Sequence, residues 1–596
     1  MGILVDRVRI SNFRALRNVE VALSPVTVLV GMNNSGKTSF LKALHLALGA
    51  DRRVVSADDF HIGTRAGHAD NPEHTIVIDL RIIPTGPKGE RIDEFDDGWI
   101  NTELGGGLVN FDMNDRQYVG VRTRVTFDPL RNDFVVQRFV LNDWREGDDW
   151  LDTPEKQRLR LRWEQIVAFL MDAQRDVVGD LRNRTSYIGR LLTKVEIPPE
   201  AVKEIEDRLG ALNADIVAHS ELLSHMRDSL GELNRTVPSY GKGVEITPVS
   251  KKLRDITKGL DVQFSDSNAS SFSLGCHGMG TRSWASLLTY QAYVSWLDKQ
   301  AAKDIGKPYH PILALEEPEA HLHPNAQRCV YDQLQNSIGQ KIISTHSPYI
   351  AAQADLADIR HFHKSGAKAV VTALNLEALS PDDIRKIGRE VMNTRGELLF
   401  AQAIVLFEGE TEEQALPTFA NVHWGEAPFM RGVVLVGVGG GGNYLPFLRV
   451  AESMAIPWFI FSDGEASTIG DVSTALEALE LAMLHDHVVV LPDGRNIEQY
   501  LIHEGYQAEL KQAVIEFQRP SFANEQHEQA KIQEINRWTD PELLQYMISW
   551  KTKLSPHWAG IIATLPDDRR LPGEIKRLFA AIDKVVTPVC EVKDES

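Results

Sequence analysis

The chain has 596 residues, 43% of them hydrophobic and 25% charged, a globular balance with enough length for three or four domains. Its formal net charge of −19 argues against a protein that simply coats nucleic acid, because such a protein is basic where it meets phosphate. No run of 18 apolar residues, no leader-like N-terminus and three scattered cysteines (Cys276, Cys329, Cys590) predict a cytoplasmic protein with no membrane span, disulfide framework or zinc cluster.

Residues 26–30 (Val-Thr-Val-Leu-Val) read as a buried strand. Gly31-Met-Asn-Asn34-Ser35-Gly36-Lys37-Thr38-Ser39 follows, and residues 42–48 continue with helix formers. Strand, glycine loop, helix is the context that a phosphate-cradling loop requires. Its backbone N–H groups and the helix N-terminus would face phosphate. Lys37 would neutralise β- and γ-phosphate charge, and Thr38 would hold Mg²⁺. The expected ligand is ATP.

Residues 155–235 are rich in helix formers and read as a helical insert. Val202, Leu209, Ile216, Leu223 and Leu230 recur every seven residues, as do Ile205, Leu212, His219, Met226 and Leu233. That is the spacing of a coiled-coil seam used for dimerisation, or of one amphipathic helix on its own domain. Gly210 and Gly231 weaken a long continuous helix. Arginines 158, 160, 162, 175, 182, 184 and 190 form a local basic cluster ahead of the seam.

Ser273-Leu-Gly275-Cys-His-Gly278-Met-Gly280-Thr-Arg282-Ser283 is a serine- and glycine-bearing loop before a predicted helix over 284–293. Ile312-Leu-Ala-Leu then delivers Glu316 and Glu317 at the end of an apolar strand. Adjacent acids there are costly unless they serve a metal or a proton. Glu316 would sit beside Mg²⁺, and Glu317 would orient or deprotonate the attacking water. A second apolar strand leads to Ser344-Thr-His346-Ser-Pro348.

The C-terminal third repeats one pattern. Residues 403–407 form a strand ending in Glu408-Gly409, with Glu412 opening a helix. Residues 433–438 form another, ending in Gly439-Gly-Gly-Gly442-Asn443. Residues 457–461 form a third, ending in Ser462-Asp463-Gly464-Glu465. Sheets of this kind place ligands at strand C-termini. Clustered carboxylates there suit hard divalent cations, Mg²⁺ or Mn²⁺. Two such ions can activate water and stabilise the leaving oxygen of a phosphodiester.

The first set of motifs resembles the ABC-type ATPases of the SMC, RecF and OLD kind. Ile10-Ser-Asn-Phe13-Arg14-Ala-Leu16 matches their first strand, and His346 takes the place of the histidine that senses γ-phosphate. Residues 273–283 stand for their signature loop but depart from the usual Ser-Gly-Gly-Gln. The second set resembles a Toprim domain, with Glu465 where Asp-x-Asp usually ends. Order and spacing together are similar to the OLD (overcoming lysogenization defect) nucleases, including the Gabija-type nuclease.

The resemblance implies an α/β chain. Residues 1–154 and 236–395 would form the ATPase, 155–235 a dimerisation insert, and 396–596 a Toprim nuclease with a helical tail. It implies Glu498 as a further acid and an active-site lysine at Lys553, with Lys551 second. It implies ATP-controlled, metal-dependent DNA cleavage by a dimer or tetramer in antiphage defence, beside a UvrD-like helicase or a retron component. The rival expectation is a RecF- or SMC-like DNA-binding ATPase whose Toprim part only docks. Topoisomerase and primase readings are weaker, for want of a tyrosine-bearing cleavage domain and of zinc-ligand spacing.

Overall fold

The computed structural model describes residues 2–49, 55–61, 75–87, 89–159, 163, 165–173, 198–224, 263–264, 272–273, 276–303, 308–366, 368–440, 443–482 and 486–586. β1 (Gly2–Phe13) and β2 (Leu16–Ala22) form a hairpin, and β3 (Val26–Val30) leaves it for a second sheet. β4 (Ile76–Thr85), β5 (Asn110–Phe111), β6 (Gln117–Asp128), β7 (Asp133–Leu141) and β8 (Glu155–Leu159) return to the first. Its antiparallel order is β2-β1-β4-β6-β7-β8, with β5 beside β6.

β9 (Ile166–Met171) belongs to the second sheet. The short strands β10 (Gln263–Phe264) and β11 (Phe272–Ser273) pair with each other. β12 (His310–Glu316), β13 (Gln340–Ser344), β14 (Ile359–Ser365) and β15 (Lys368–Thr372) complete the order β15-β14-β3-β13-β12-β9, parallel except at the β14–β15 edge. Every residue of β3 and β13 is buried; β3 is a run of apolar and β-branched residues, whereas β13 opens with Gln340 and Lys341 before its apolar Ile342 and Ile343. The helix Lys37–Leu48 lies between the two sheets. Its Phe40, Leu41 and Leu44 pack among Val8 and Ile78 on one side and Ile312 and Ile342 on the other.

A third, wholly parallel sheet holds β16 (Ala403–Phe407), β17 (Val433–Gly437), β18 (Trp458–Ser462) and β19 (Val488–Val490) in the order β17-β16-β18-β19. Helices from Ile497 to Asp583 cover one of its faces through Tyr500, Leu510, Trp558 and Phe579. No helix among the described residues is long and apolar enough to cross a membrane.

One expected boundary needs correction. Residues 155–171 do not start a helical insert: β8 is an edge of the first sheet and β9 an edge of the second. Edge pairing overrides the helix propensity of Glu155-Lys-Gln-Arg-Leu159. The helix of this region is Pro199–Ala218, which runs through Gly210 and leaves Ile205 and Leu212 exposed while burying Val217. The seam positions beyond residue 224, and Arg182, Arg184 and Arg190, lie outside the described residues. The limit at 395/396 separates motifs rather than cores. Val28, Leu315 and Ile343 of the second sheet share one apolar cluster with Leu406, Val436, Leu448 and Trp458 of the third.

His361 joins these two halves. It sits on β14 beside Val30, and its Nδ1 donates to the Met454 carbonyl at 2.7 Å. Burial, with His363 stacked at 5.6 Å, pushes its ionisation down to about 4. An unfolded histidine takes its proton near pH 6.5. The native state therefore keeps its full stability above that pH. It loses up to about 3 kcal/mol through this residue as pH falls from 6.5 towards 4. Urea midpoints at pH 7.5 and 5 should differ in wild type and differ less in His361→Gln; an equal slope would contradict the assignment.

Candidate functional site

At the first site, β3 ends in Gly31, whose φ of 125° places the loop backbone against β14. A Cβ there would lie 2.0 Å from the Phe362 carbonyl oxygen. Asn34 (φ 60°) and Gly36 (φ 112°) complete the bend, and no side chain caps the helix that begins at Lys37. Its first N–H groups are thus left for an anion. Lys37 Nζ donates to the carbonyls of Gly31 (2.7 Å) and Met32 (2.8 Å). Burial lowers its ionisation to about 8, against the opposing pull of Glu317 and Glu319. Ser35 Oγ is buried without a hydrogen-bond partner. Ser39 follows Thr38 in the first turn of the same helix.

β13 lies between β3 and β12, and β12 delivers its acids beside the loop. The Thr38 hydroxyl donates to Glu316 Oε1. Glu317 adopts a left-handed φ of 45°, which turns the chain sharply after the strand, and its Oε1 is 3.9 Å from His346 Nε2. Burial, with Lys37 nearby, lowers His346 to about 4, so its ring is neutral at physiological pH. Gly31, Asn34, Ser35, Gly36, Lys37, Thr38, Glu316, Glu317 and His346 therefore meet at the ends of neighbouring strands. Orphaned Ser35 Oγ, a buried cation and an uncapped helix N-terminus fit a nucleotide triphosphate, and Thr38 with Glu316 fits its Mg²⁺.

Glu319 was not expected. Its Oε1 accepts from the His346 N–H (2.6 Å), the Ser347 N–H (3.1 Å) and the Thr345 hydroxyl (2.8 Å). Burial raises its ionisation even so. It fixes the segment bearing His346, and its signal in the sequence is the third acid of Glu-Glu-Pro-Glu. Gly280 of the signature segment lies against this turn; a Cβ there would be 2.6 Å from the His321 carbonyl oxygen.

The second site lies at the C-terminal end of the third sheet. Glu408 follows β16 half-buried, and Gly409 leads into the helix Glu410–Trp424. A Cβ on Gly409 would be 2.6 Å from Glu412 Oε2, so glycine lets the buried Glu412 carboxylate fold back over the strand end. After β18, Gly464 abuts the Leu491 carbonyl oxygen, which a Cβ would approach to 2.2 Å; this holds Asp463 inward. Asn496 and Gln499 cap each other's backbone N–H groups at 3.1 and 3.0 Å. That capping box sets Glu498 in a first helical turn, where it is 1% exposed. Glu465 is exposed at the start of the helix Ala466–Glu477.

Burial, then mutual repulsion, dominates the electrostatics here. Asp463 is pushed up to about 8 by desolvation, with Glu412, Glu498 and Glu465 adding. Glu412 is pushed up to about 7 by desolvation, with Glu498 and Glu408 adding. Glu498 is raised by burial. Asp463 Oδ1 and Glu498 Oε2 have no hydrogen-bond partner. Lys551 opposes the negative field on all three. Its Nζ is 3.8 Å from Glu498 Oε2, and the Thr552 hydroxyl ties the start of its helix to Glu410 at 2.8 Å.

Lys553, the lysine expected in the site, instead has its Nζ 5.3 Å from the centre of the Trp550 ring. Residues two apart on a helix point to different faces, and the described contacts bring Lys551 to the acids. Orphaned carboxylate oxygens with raised ionisation form an all-oxygen donor set that fits hard divalent cations. Among the described residues no three acid, histidine or cysteine side chains converge into a ready-made cage. The acids form an open cluster.

Three family models match the chain: an AAA ATPase domain over residues 4–85, a protein of unknown function (DUF2813) over 247–397, and the overcoming lysogenization defect protein-like TOPRIM domain over 399–464. The chain is 25% identical to the OLD nuclease of Thermus scotoductus over 486 residues, covering 78% of this chain and 83% of that one. It is 23% identical to the Old nuclease of Escherichia phage P2, covering 78% and 77%. It is 22% identical to the uncharacterized protein YbjD of Escherichia coli, covering 84% and 87%.

Gly31→Ala is expected to drive a methyl group into β14. It should lower stability by about 2–4 kcal/mol and weaken ATP binding at least about tenfold. Calorimetry and nucleotide titration check both; wild-type values would contradict the close approach.

Proposed function

We propose that this chain, an ATPase–Toprim protein of the OLD family, is a divalent-metal-dependent DNA endonuclease under the control of ATP. The observation that carries the reading is the gathering of buried Glu412 and Glu498 with half-buried Asp463 at one sheet end, with orphaned oxygens on Asp463 and Glu498 and Lys551 beside Glu498. A purely docking surface gains nothing from buried, mutually repelling carboxylates.

Glu408, Glu412, Asp463 and Glu498 would hold Mg²⁺ or Mn²⁺, with Glu465 at the rim. When bound, two such ions supply a water nucleophile and stabilise the leaving oxygen. Lys551, exposed at its tip and anchored at its base through Thr552, meets the phosphate whose charge grows in the transition state. Lys553 takes that role only if its helix turns. At the first site Lys37 holds phosphate charge, Thr38 and Glu316 hold the nucleotide's metal, Glu317 orients water and neutral His346 reads the γ-phosphate. Closure of such a site by a second copy makes the working unit a homo-oligomer, and antiphage defence beside a helicase or retron component is the biological setting that the family suggests.

Supercoiled plasmid with Mg²⁺ or Mn²⁺, with and without ATP, tests this. Wild type should give nicked or linear product, and Glu408→Ala none, with ATP hydrolysis kept. Cleavage surviving in Glu408→Ala removes the site assignment. Lys551→Ala should lose about 10²–10³-fold in rate, and Lys553→Ala less than about threefold; the reverse order would return the role to Lys553. The open form of the acid cluster favours the rival docking reading, which intact plasmid in every lane with ATP turnover would select.

A further inference from the structure

Trp550 links the helix Asp540–Ser549 to the helix Lys551–Ala563. Its ring belongs to a row of aromatic side chains. Trp538 and Tyr546 stand 5.2 Å apart, Tyr546 and Trp550 6.4 Å, and Phe517 lies 5.5 Å from Trp550. Phe517, Trp538 and Tyr546 pack against the core of the helical tail, and the Gln518 amide donates to the Tyr546 hydroxyl at 2.9 Å. Trp550 itself is 40% exposed, and Ile548 beside it 45%. The ring is braced from within and open to solvent, so it loses little freedom when something covers it.

Two lysines flank this ring. Lys551 is the next residue, and its Nζ stands 3.8 Å from Glu498 Oε2 in the acid cluster. Lys553 holds its Nζ 5.3 Å from the ring centre. Neighbouring residues are about 3.8 Å apart along the chain, so a strand with a phosphate at the acids meets the ring within about two nucleotides. The chain carries a net charge of −19 and offers nucleic acid little general attraction, so contacts close to the acids have to hold the strand. Exposed aromatic rings do so by stacking on unpaired bases, and flanking cations by meeting phosphate. Stacking is stronger than an exposed ammonium–ring contact, so a base displaces Lys553 and frees its ammonium for the following phosphate. We infer that Trp550 is a stacking platform for an unpaired base beside the scissile phosphate of a DNA strand, with Lys553 on the next phosphate. The inference rests on the function proposed above and gives it a substrate class: DNA that is single-stranded, or locally opened, at the cut. A base inside a duplex has both faces covered by its neighbours and cannot take the ring.

The test compares wild type, Trp550→Ala, Trp550→Phe and Lys553→Gln as full chains. Binding of a fluorescein-labelled single-stranded DNA oligonucleotide, and of its duplex, is read by anisotropy with Ca²⁺ in place of Mg²⁺. Melting, ATP turnover and plasmid cleavage in Mg²⁺ or Mn²⁺ are measured beside it. Trp550→Ala should weaken single-strand binding by about 10–100-fold and duplex binding by less than about threefold. Trp550→Phe should recover most of that loss, with melting and ATP turnover at wild-type values. Lys553→Gln should lower the salt slope of single-strand binding by about 0.7; an unchanged slope overturns the part given to Lys553. Wild-type affinity in Trp550→Ala, equal losses on single strand and duplex, or no single-strand binding by wild type would each overturn the platform, and plasmid cleavage by that same wild type would leave the nuclease reading standing. Melting that falls along with binding in Trp550→Phe would mark a packing role and overturn it as well. Single-strand binding that depends on Trp550, with no cleavage by wild type, would sustain the platform and remove the nuclease reading.

Discussion

Like charges gathered at one sheet edge are the constraint around which the C-terminal half is built. Glu412, Asp463 and Glu498 stand in a poorly solvated place; desolvation raises the ionisation of each, and neighbouring acids add to it. Nothing local would keep them together. They are held because their strands are anchored elsewhere: every side chain of β16 and β18 is buried, and parallel pairing aligns the strand ends. Local devices do the finer placing. Gly409 admits the fold-back of Glu412, Gly464 seats against Leu491, and the Asn496–Gln499 box fixes Glu498. Apolar burial supplies the force and backbone geometry the aim.

The nucleotide site uses the same logic with a buried cation as well as acids. Lys37 is drawn into the loop, and Glu317 and Glu319, just beyond the end of β12, act on its charge. Glu319 spends its hydrogen bonds on the backbone that carries His346, so the position of His346 is set by an acid from the turn after β12. Both sites lie at the C-terminal ends of parallel strands, where the alternation of strand and helix leaves loops free to collect polar groups.

Much of this was legible in the chain. Strand, glycine loop and helix around Lys37, the paired acids after β12, and the strand–acid repeats at Glu408 and Asp463 all carry local signatures, because each demands residue types at fixed spacing. Other features were not legible. The sequence reading favours Lys553 over Lys551; what separates them in the fold is the roll of their helix, which brings Lys551 to Glu498, while Thr552 between them bonds Glu410, some 140 residues away in sequence. Residues 155–159 and 166–171 fall in a stretch that looks helical by composition and become strands because two open sheet edges accept them.

The continuous apolar cluster under the second and third sheets bears on how variants of this protein are to be read. With Val28 and Trp458 in one cluster, and His361 bonded to the Met454 carbonyl, the two halves lend each other cohesion. Damage near the phosphate loop lowers the amount of intact nuclease half in a cell, and the reverse holds too. A loss of cleavage in cells carrying a loop variant is therefore a statement about abundance until the surviving protein has been weighed, and only the activity per folded molecule speaks of coupling between the two halves.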